Sequence, residues 1–263
     1  MGTPFKNISL RPNGAIVHLT LNRPDKLNPL DWETVRELRA AISEIDEDPN
    51  IVAVIVTGEG GSFSAGGDLE GYIALYQQPD QFAEFLEDFL KLLTGMEASE
   101  KIFIAAVNGV CVAGGLELLL ACDLAIAADT SKIGDGHLNF GQLPGAGGSQ
   151  RLPRAIGSTR AKHLILTGEL LDGVEAERIG LVNRVVPAGD LNTAALNLAE
   201  SLCEKSGAGV RGAKHLLSIA ATRDLADGLA YELKFVHRHA TKEPDATEGL
   251  IAFKEKRKPK FSS

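Results

Sequence analysis

A chain of 263 residues, 44% hydrophobic and 24% charged, carries enough apolar material for a large core in one or two domains. Its formal net charge of −8 excludes broad binding to nucleic acid or to anionic membrane surfaces, both of which recruit a basic field. Cys111, Cys122 and Cys203 are odd in number and lack C-x-x-C spacing, so they read as buried thiols of a reducing compartment; with no signal peptide and no apolar run of membrane-spanning length, the expectation is a cytoplasmic protein with no membrane partner.

Residues 15–21 (AIVHLTL) alternate as a strand does. Pro24 and Pro29 enclose a loop, and Asp31 caps a helix over 32–47 in which Val35, Leu38, Ile42 and Ile45 recur at the helical period. Residues 51–56 (IVAVIV) are too apolar for a one-sided strand and predict one covered on both faces. A glycine-rich crossing at 57–69 (TGEGGSFSAGGDL) leads into a helical segment, and 72–96 reads as one amphipathic helix through Phe82, Phe85, Leu86, Phe89, Leu92 and Leu93. Residues 102–107 predict a buried strand, followed by Ala113-Gly114-Gly115 and an apolar helix to Cys122. Beyond it come a short strand at 124–127, an irregular glycine-rich stretch at 131–148, helices at 160–166 and 174–179, and a strand at 181–186. From Leu191 the pattern is helical (192–205, 213–221, 225–240), and its change near residue 200 marks the single domain boundary.

The stretch 101–151 carries the chemistry. Glycines at the mouth of a helix leave main-chain N–H groups unshielded, and the first N–H groups of a helix have no partner within it, so an oxyanion fits there. Glu117 is the one charge in the helix that follows, and burial among leucines would disfavour its ionised form, which suits a group that both takes and gives a proton near neutral pH. Two plainer readings stand beside this one: glycine pairs let a helix pack closely, and a first-turn Glu can simply be exposed and favour the helix dipole. The order strand, glycine loop, helix occurs twice, roughly fifty residues apart, as in stacked or spiral architectures. Two such loops can supply two oxyanion donors to one ligand.

The chain resembles the crotonase (enoyl-CoA hydratase/isomerase) superfamily over nearly its whole length. The residues that carry the match are Asn22-Arg23-Pro24, residues 63–69 (FSAGGDL), Ala106-Val107-Asn108-Gly109, residues 114–118 (GGLEL), Cys122-Asp123, residues 144–148 (PGAGG), Leu166-Thr167-Gly168, Gly180-Leu181-Val182, and Ala252-Phe253 with residues 256–259 (KRKP), in the family's order. The resemblance implies an α/β fold, a spiral of ββα repeats over 1–200 holding the acyl-CoA site, and a helical trimerisation region over 201–263, assembled as a homotrimer or a dimer of trimers. It implies acyl-CoA thioester substrates, with the thioester oxygen between the main-chain N–H groups of Gly67 and Gly114; separately, with no P-loop, H-E-x-x-H or G-x-S-x-G in the sequence and no metal-ligand spacing at His18, His163 and His215, no metal or redox cofactor is expected beyond the coenzyme A of the substrate. By position, Lys26, Leu27, Ala65, Asp68 and Leu69 would line the CoA groove, and Phe253 and Lys256 would reach a CoA, often a neighbouring subunit's. The basic tail (Lys254, Lys256, Arg257, Lys258, Lys260) offers a positive patch suited to phosphates.

Hydratases of this family use two glutamates. Glu117 fills the first position, whereas the second falls on His137, whose imidazole still accepts or donates a proton. Asp135, two residues earlier, would orient His137 or stand in for the missing carboxylate; a loop Asp beside glycine is also a common turn former. Tyr231, His237 and His239 are weaker candidates, and Trp32 packs under the first helix. Residues 207–212 (GAGVRG) match G-x-G-x-x-G but follow a helical segment, so the dinucleotide reading fails its structural condition. The leading expectation is hydration of an α,β-unsaturated acyl-CoA by Glu117 and His137. The alternatives are a hydrolase or lyase cleaving a C–C bond of a β-keto or β-hydroxy acyl-CoA, an acyl-CoA isomerase, or an inactive acyl-CoA-binding relative. The wall of the acyl pocket is expected from residues 72–96 and the last helices.

Overall fold

Residues 5–262 are described by the structure, a computed structural model. A hairpin opens the chain: β1 (Ile8–Asn13) pairs antiparallel with β2 (Ile16–Leu21). Helix α1 (Trp32–Glu47) follows, with the Asp31 side chain accepting from the Thr34 amide at 2.9 Å and from its hydroxyl at 2.7 Å. The other Asp31 oxygen pairs with Arg23, so one carboxylate caps the helix and ties the preceding loop to it.

Three turns of a spiral come next. Each contributes one strand to a large sheet and one to a small sheet: β3 (Ala53–Gly58) and β4 (Ser62–Ser64), then β5 (Ile102–Val107) and β6 (Val110–Val112), then β7 (Leu124–Ala128) and β8 (Lys132–Gly134). Helices α2 (Leu69–Tyr76) and α3 (Pro79–Ala98) close the first turn, and α4 (Gly114–Leu120) closes the second. Asn108 bonds one turn to the next, its amide donating to Gly58 O at 2.9 Å and Gly60 O at 2.8 Å. After α5 (Gly148–Ile156) and α6 (Ser158–Thr167), strand β9 (Leu171–Asp172) pairs antiparallel with β8. Helix α7 (Gly173–Arg178) leads to β10 (Arg184–Val186), and the large sheet runs β1-β2-β3-β5-β7-β10, parallel from β2 onward.

The central strands alternate between two apolar layers. Val54, Val56, Phe103 and Ala105 face the cluster that holds Val35 and Leu38 of α1 and Leu116 and Leu119 of α4. Ala53, Ile55, Ile104 and Ile126 face Leu191, Ala195 and Ala199 of α8 (Leu191–Cys203). Burial on both faces is what the uniform IVAVIV run requires. Helices α9 (Gly207–Ala220), α10 (Leu225–Lys242) and α11 (Pro244–Glu255) end the chain, and no helix among the described residues is long and apolar enough to cross a membrane.

Several local expectations change. The stretch 72–96 is two helices, because Pro79 lacks an N–H and takes the first position of α3, leaving Gln77 and Gln78 between them. The irregular stretch 131–148 contains β8 and a 3-10 turn at His137–Phe140, and Gly148 begins a helix instead of ending a loop. Strand β10 covers only the second half of 181–186, and α11 falls within the expected helical run to the end of the chain, though the pattern does not draw its bounds.

The Asp31 cap predicts its own test. Asp31→Ala should destabilise the fold by about 1–2 kcal/mol and lower the calorimetric midpoint by roughly 2–6 °C for a chain of this size, whereas Asp31→Asn, which keeps the capping oxygen and loses only the Arg23 pair, should recover most of that loss.

Candidate active site

The site grows from the residue that precedes α4. Ala113 has φ 52° and ψ −120°, a conformation that glycine adopts freely and an L-residue does not. Its N–H donates to Asp135 O at 2.8 Å, which holds it there. The turn points the first N–H groups of α4 out of the helix: the Glu117 amide is the first to bond back, to Ala113 O at 3.1 Å, and no described residue accepts from Gly114 N–H. The other glycine loop meets this turn directly. Gly66 has φ 88°, and a methyl group there would come within 2.7 Å of Ala113 Cβ and 3.2 Å of Gly114 N. Gly67 follows, its N–H likewise without a hydrogen-bond partner among the described residues. The two glycine loops therefore touch.

Glu117 lies one turn into α4 and is 1% exposed. Its Oε1 accepts from the main-chain amides of Ala146 and Gly148, each at 2.8 Å. Those amides belong to the 144–148 stretch and the first turn of α5, where the helix dipole also favours negative charge. Arg151 fixes that stretch in turn, donating to Ala146 O at 2.7 Å while pairing with Glu97 at 2.6 and 2.8 Å. Burial still pushes the Glu117 carboxyl above its ordinary range, against the opposing pull of the two amides and His137.

His137 begins the 3-10 turn. Its Nδ1 lies 3.1 Å from Asp135 Oδ1, and with the proton on that nitrogen Nε2 is left as the acceptor. Asp135 is fully buried, and its Oδ2 has no hydrogen-bond partner among the described residues. The carboxylate thus orients the ring.

Two adjoining cavities meet at these groups. One, of about 380 Å³, is lined by Gly114, Glu117 and His137 together with aromatic residues of α2 and α3. The other, of about 400 Å³, is lined by Lys26, Ala65, Gly67, Asp68 and Leu69. Tyr72, His137 and Gln142 line both and form the waist between them.

The structure thus brings together Glu117, His137, Gly67 and Gly114 with Lys26, Ala65, Asp68 and Leu69. It leaves others outside. Leu27 is half exposed beside Lys26 and lines neither cavity, and Phe253, 87% exposed, and Lys256 stand at the end of α11 away from both. Part of the basic tail is neutralised locally, since Arg257 pairs with Glu248 at 2.6 Å and Glu255 at 2.7 Å. Tyr231 and His239 line a separate cavity between α9, α10 and the end of α3, where the Tyr231 hydroxyl meets His215 Nε2 at 2.7 Å. The last helices line neither of the two central cavities; beside α2 and α3, the stretch 141–146 walls the cavity that holds Glu117. Trp32 packs edge-on against Phe85 at 6.4 Å and donates to Asp88 at 2.8 Å.

Sequence reasoning missed Tyr72 as a site residue. A methyl group on Gly67 would come within 2.2 Å of its hydroxyl, so the phenol sits on the Gly67 main chain, and burial raises its pKa and keeps it protonated. Its position just after the 63–69 motif, with Tyr76 one helical turn on, was the available signal.

The family described as enoyl-CoA hydratase/isomerase matches residues 11–263. A Mycobacterium tuberculosis protein named "Probable enoyl-CoA hydratase" is 44% identical over 259 residues, covering 98% of each chain, and "Crotonyl-CoA hydratase" of Syntrophomonas wolfei is 37% identical, covering 98% of this chain and 99% of its own. A crystal structure of an enoyl-CoA hydratase from Bacillus anthracis superposes with a TM-score of 0.92 at 37% identity, covering 97% of this chain and 99% of that one. With its spiral of two sheets, its paired glycine loops and a match over nearly all of its length, the chain belongs to the enoyl-CoA hydratase/isomerase, or crotonase, family.

Proposed function

We propose that the protein adds water across the double bond of an α,β-unsaturated acyl-CoA. The thioester oxygen is received by the N–H groups of Gly67 and Gly114. Of the pair Glu117 and His137, one accepts a proton from water as its oxygen bonds to Cβ. The electron pair of the double bond moves toward the thioester, giving an enolate held by the two N–H groups, and the other member of the pair delivers a proton to Cα. The observation that carries the reading is the buried Glu117 carboxyl, fixed by two main-chain amides in the same cavity as His137 and Gly114. Preorganised donors of the glycine kind contribute about 3 kcal/mol each to such a transition state. Lys26, Ala65, Asp68 and Leu69, which line the adjoining cavity, are suited to the CoA portion. The scheme needs no cofactor beyond that CoA, and three unpaired cysteines, with Cys111 wholly buried, support a reducing, cytoplasmic location.

Assembly is part of the proposal. Leu225, Leu229, Leu233 and Val236 form an exposed apolar stripe on α10, and Leu250 and Phe253 are exposed on α11. Such a surface on 201–263 fits a homotrimer or a dimer of trimers, in which Phe253 and Lys256 would meet a neighbour's CoA while Leu27 borders this chain's own CoA groove. The Asp135–His137 pair favours one second reading, in which His137 Nε2 deprotonates a β-hydroxyl or a water that cleaves a C–C bond.

Incubation with crotonyl-CoA should bleach the conjugated thioester absorbance and give a product heavier by one water; release of a shortened acyl-CoA from a β-hydroxy or β-keto substrate instead would favour C–C cleavage. Glu117→Gln should lower kcat by about 10²–10⁴. The kcat/KM profile should be bell-shaped, since one group of the pair must be protonated and the other not, and its acid limb should lie above the ordinary glutamate value of about 4.3. An acid limb at or below that value would remove Glu117 from the role.

Stability gives an independent check. A carboxyl whose pKa is raised on folding costs stability at neutral pH, and the cost falls as pH drops below its folded pKa and is gone only below its unfolded value. Glu117→Gln keeps the oxygen that accepts from Ala146 and Gly148, so its melting temperature should exceed the parent's at neutral pH and converge with it in acid. For assembly, light scattering should return a trimer mass or twice that mass, and Leu229→Glu with Leu233→Glu should give monomers that keep their helical circular dichroism.

A further inference from the structure

We infer that the acyl cavity is shaped for an aryl-conjugated group, so that the preferred substrate class is a 3-aryl-2-enoyl thioester and not a straight-chain one. The inference rests on the acyl-CoA reading of the site and narrows it. Aromatic residues make up 5% of the chain but a third of the lining of the cavity that holds Glu117 and His137, namely Tyr72, Tyr76, Phe82, Phe85 and Phe89.

These rings form a continuous set. Tyr76 meets Phe82 edge to face with centroids 4.8 Å apart and planes at 80°, and Tyr72 meets Phe82 at 6.4 Å and 70°. Phe85 joins Tyr72 at 5.6 Å and Phe89 at 6.0 Å. Phe85 and Phe89 are anchored in the core, so the deep end of the wall is rigid. Such a wall receives a planar ring in offset or edge-to-face geometry, each well-placed ring pair contributing roughly two- to tenfold in affinity beyond the area it buries. A flexible alkyl chain gains only the burial and gives up rotamer freedom to obtain it.

The placement of the wall matters as much as its chemistry. The rings share one cavity with the acid/base pair, so a substituent attached directly to the reacting β-carbon is the one that meets them. In a 3-aryl-2-enoyl thioester the ring is attached there and is coplanar with the double bond. Tyr72, His137 and Gln142 line both this aromatic cavity and the neighbouring one suited to the CoA portion, so the two parts of such a substrate have adjoining places.

The test uses the intact protein with two saturated, unreactive ligands of equal acyl carbon count, 3-phenylpropanoyl-CoA and nonanoyl-CoA, titrated by calorimetry, alongside turnover of cinnamoyl-CoA and 2-nonenoyl-CoA. Phenylpropanoyl-CoA should bind at least tenfold more tightly, a difference of 1.4 kcal/mol, and Phe82→Leu should weaken it about fivefold more than it weakens nonanoyl-CoA. Equal or tighter binding of nonanoyl-CoA, or an equal loss for both ligands in Phe82→Leu, overturns the inference, and rapid hydration of 2-nonenoyl-CoA in that case leaves the hydratase reading standing. Tight, selective binding of phenylpropanoyl-CoA with no hydration of cinnamoyl-CoA supports the inference and overturns the hydratase reading instead.

Discussion

Two main-chain N–H groups meeting one buried carboxylate oxygen are the constraint on which the rest of this site depends. Glu117 sits among leucines and aromatic rings, where an unpartnered carboxylate would cost several kcal/mol. The amides of Ala146 and Gly148 offset that cost while fixing the direction of the side chain. They hold one oxygen in place and leave the group readily protonated, because burial outweighs them. The 144–148 stretch is therefore the mould for a side chain thirty residues earlier, and Arg151, with Glu97, keeps that mould closed.

The spiral explains how residues far apart in sequence arrive at one place. Each turn lays a strand in the large sheet, crosses to the small sheet and delivers a glycine loop at the same end. Successive turns stack in register: Ala53 pairs with Ile102, and Ile104 with Leu124. Equivalent points of consecutive turns therefore neighbour one another, which is why Gly66 rests against Ala113. At that contact the backbone of Ala113 is held in a conformation costing about 1–3 kcal/mol for an L-residue, and a hydrogen bond from its N–H to Asp135 O maintains it.

Much of this was legible in the residues. Asp31 announced its helix because a capping carboxylate before an apolar period is a local signal, and residues 102–107 announced a buried strand by their uniformity. Glu117 stood out as a lone charge in an apolar helix. What stayed hidden depended on contacts between distant segments or on local signals that cancel. Gly147 and Gly148 weaken a helix pattern even as they begin one, so the sequence offers α5 no helix signal, and Pro79 was absorbed into an amphipathic period that runs on either side of it. The His137–Asp135 pairing, by contrast, is expected from their closeness in sequence, and the turn at Gly136, with φ 67°, is what brings the two side chains together. The basic tail read as free charge because Glu248, which pairs with Arg257, lies nine residues upstream on a different segment of the same helix–tail turn.

The joint at Gln77 and Gln78 divides the site by mechanical character. Helix α2 carries Tyr72 and Tyr76 to the cavity lining with none of its residues fully enclosed, whereas Glu117 lies in a helix almost wholly enclosed. Substitutions at the exposed positions of that short outer helix exact little from the folded core, so under the proposed reaction the outer part of the acyl wall is free to diverge while Phe85, Phe89 and Glu117 beneath it stay unaltered. A lineage built on this scaffold can thus change what it accepts without rebuilding how it reacts.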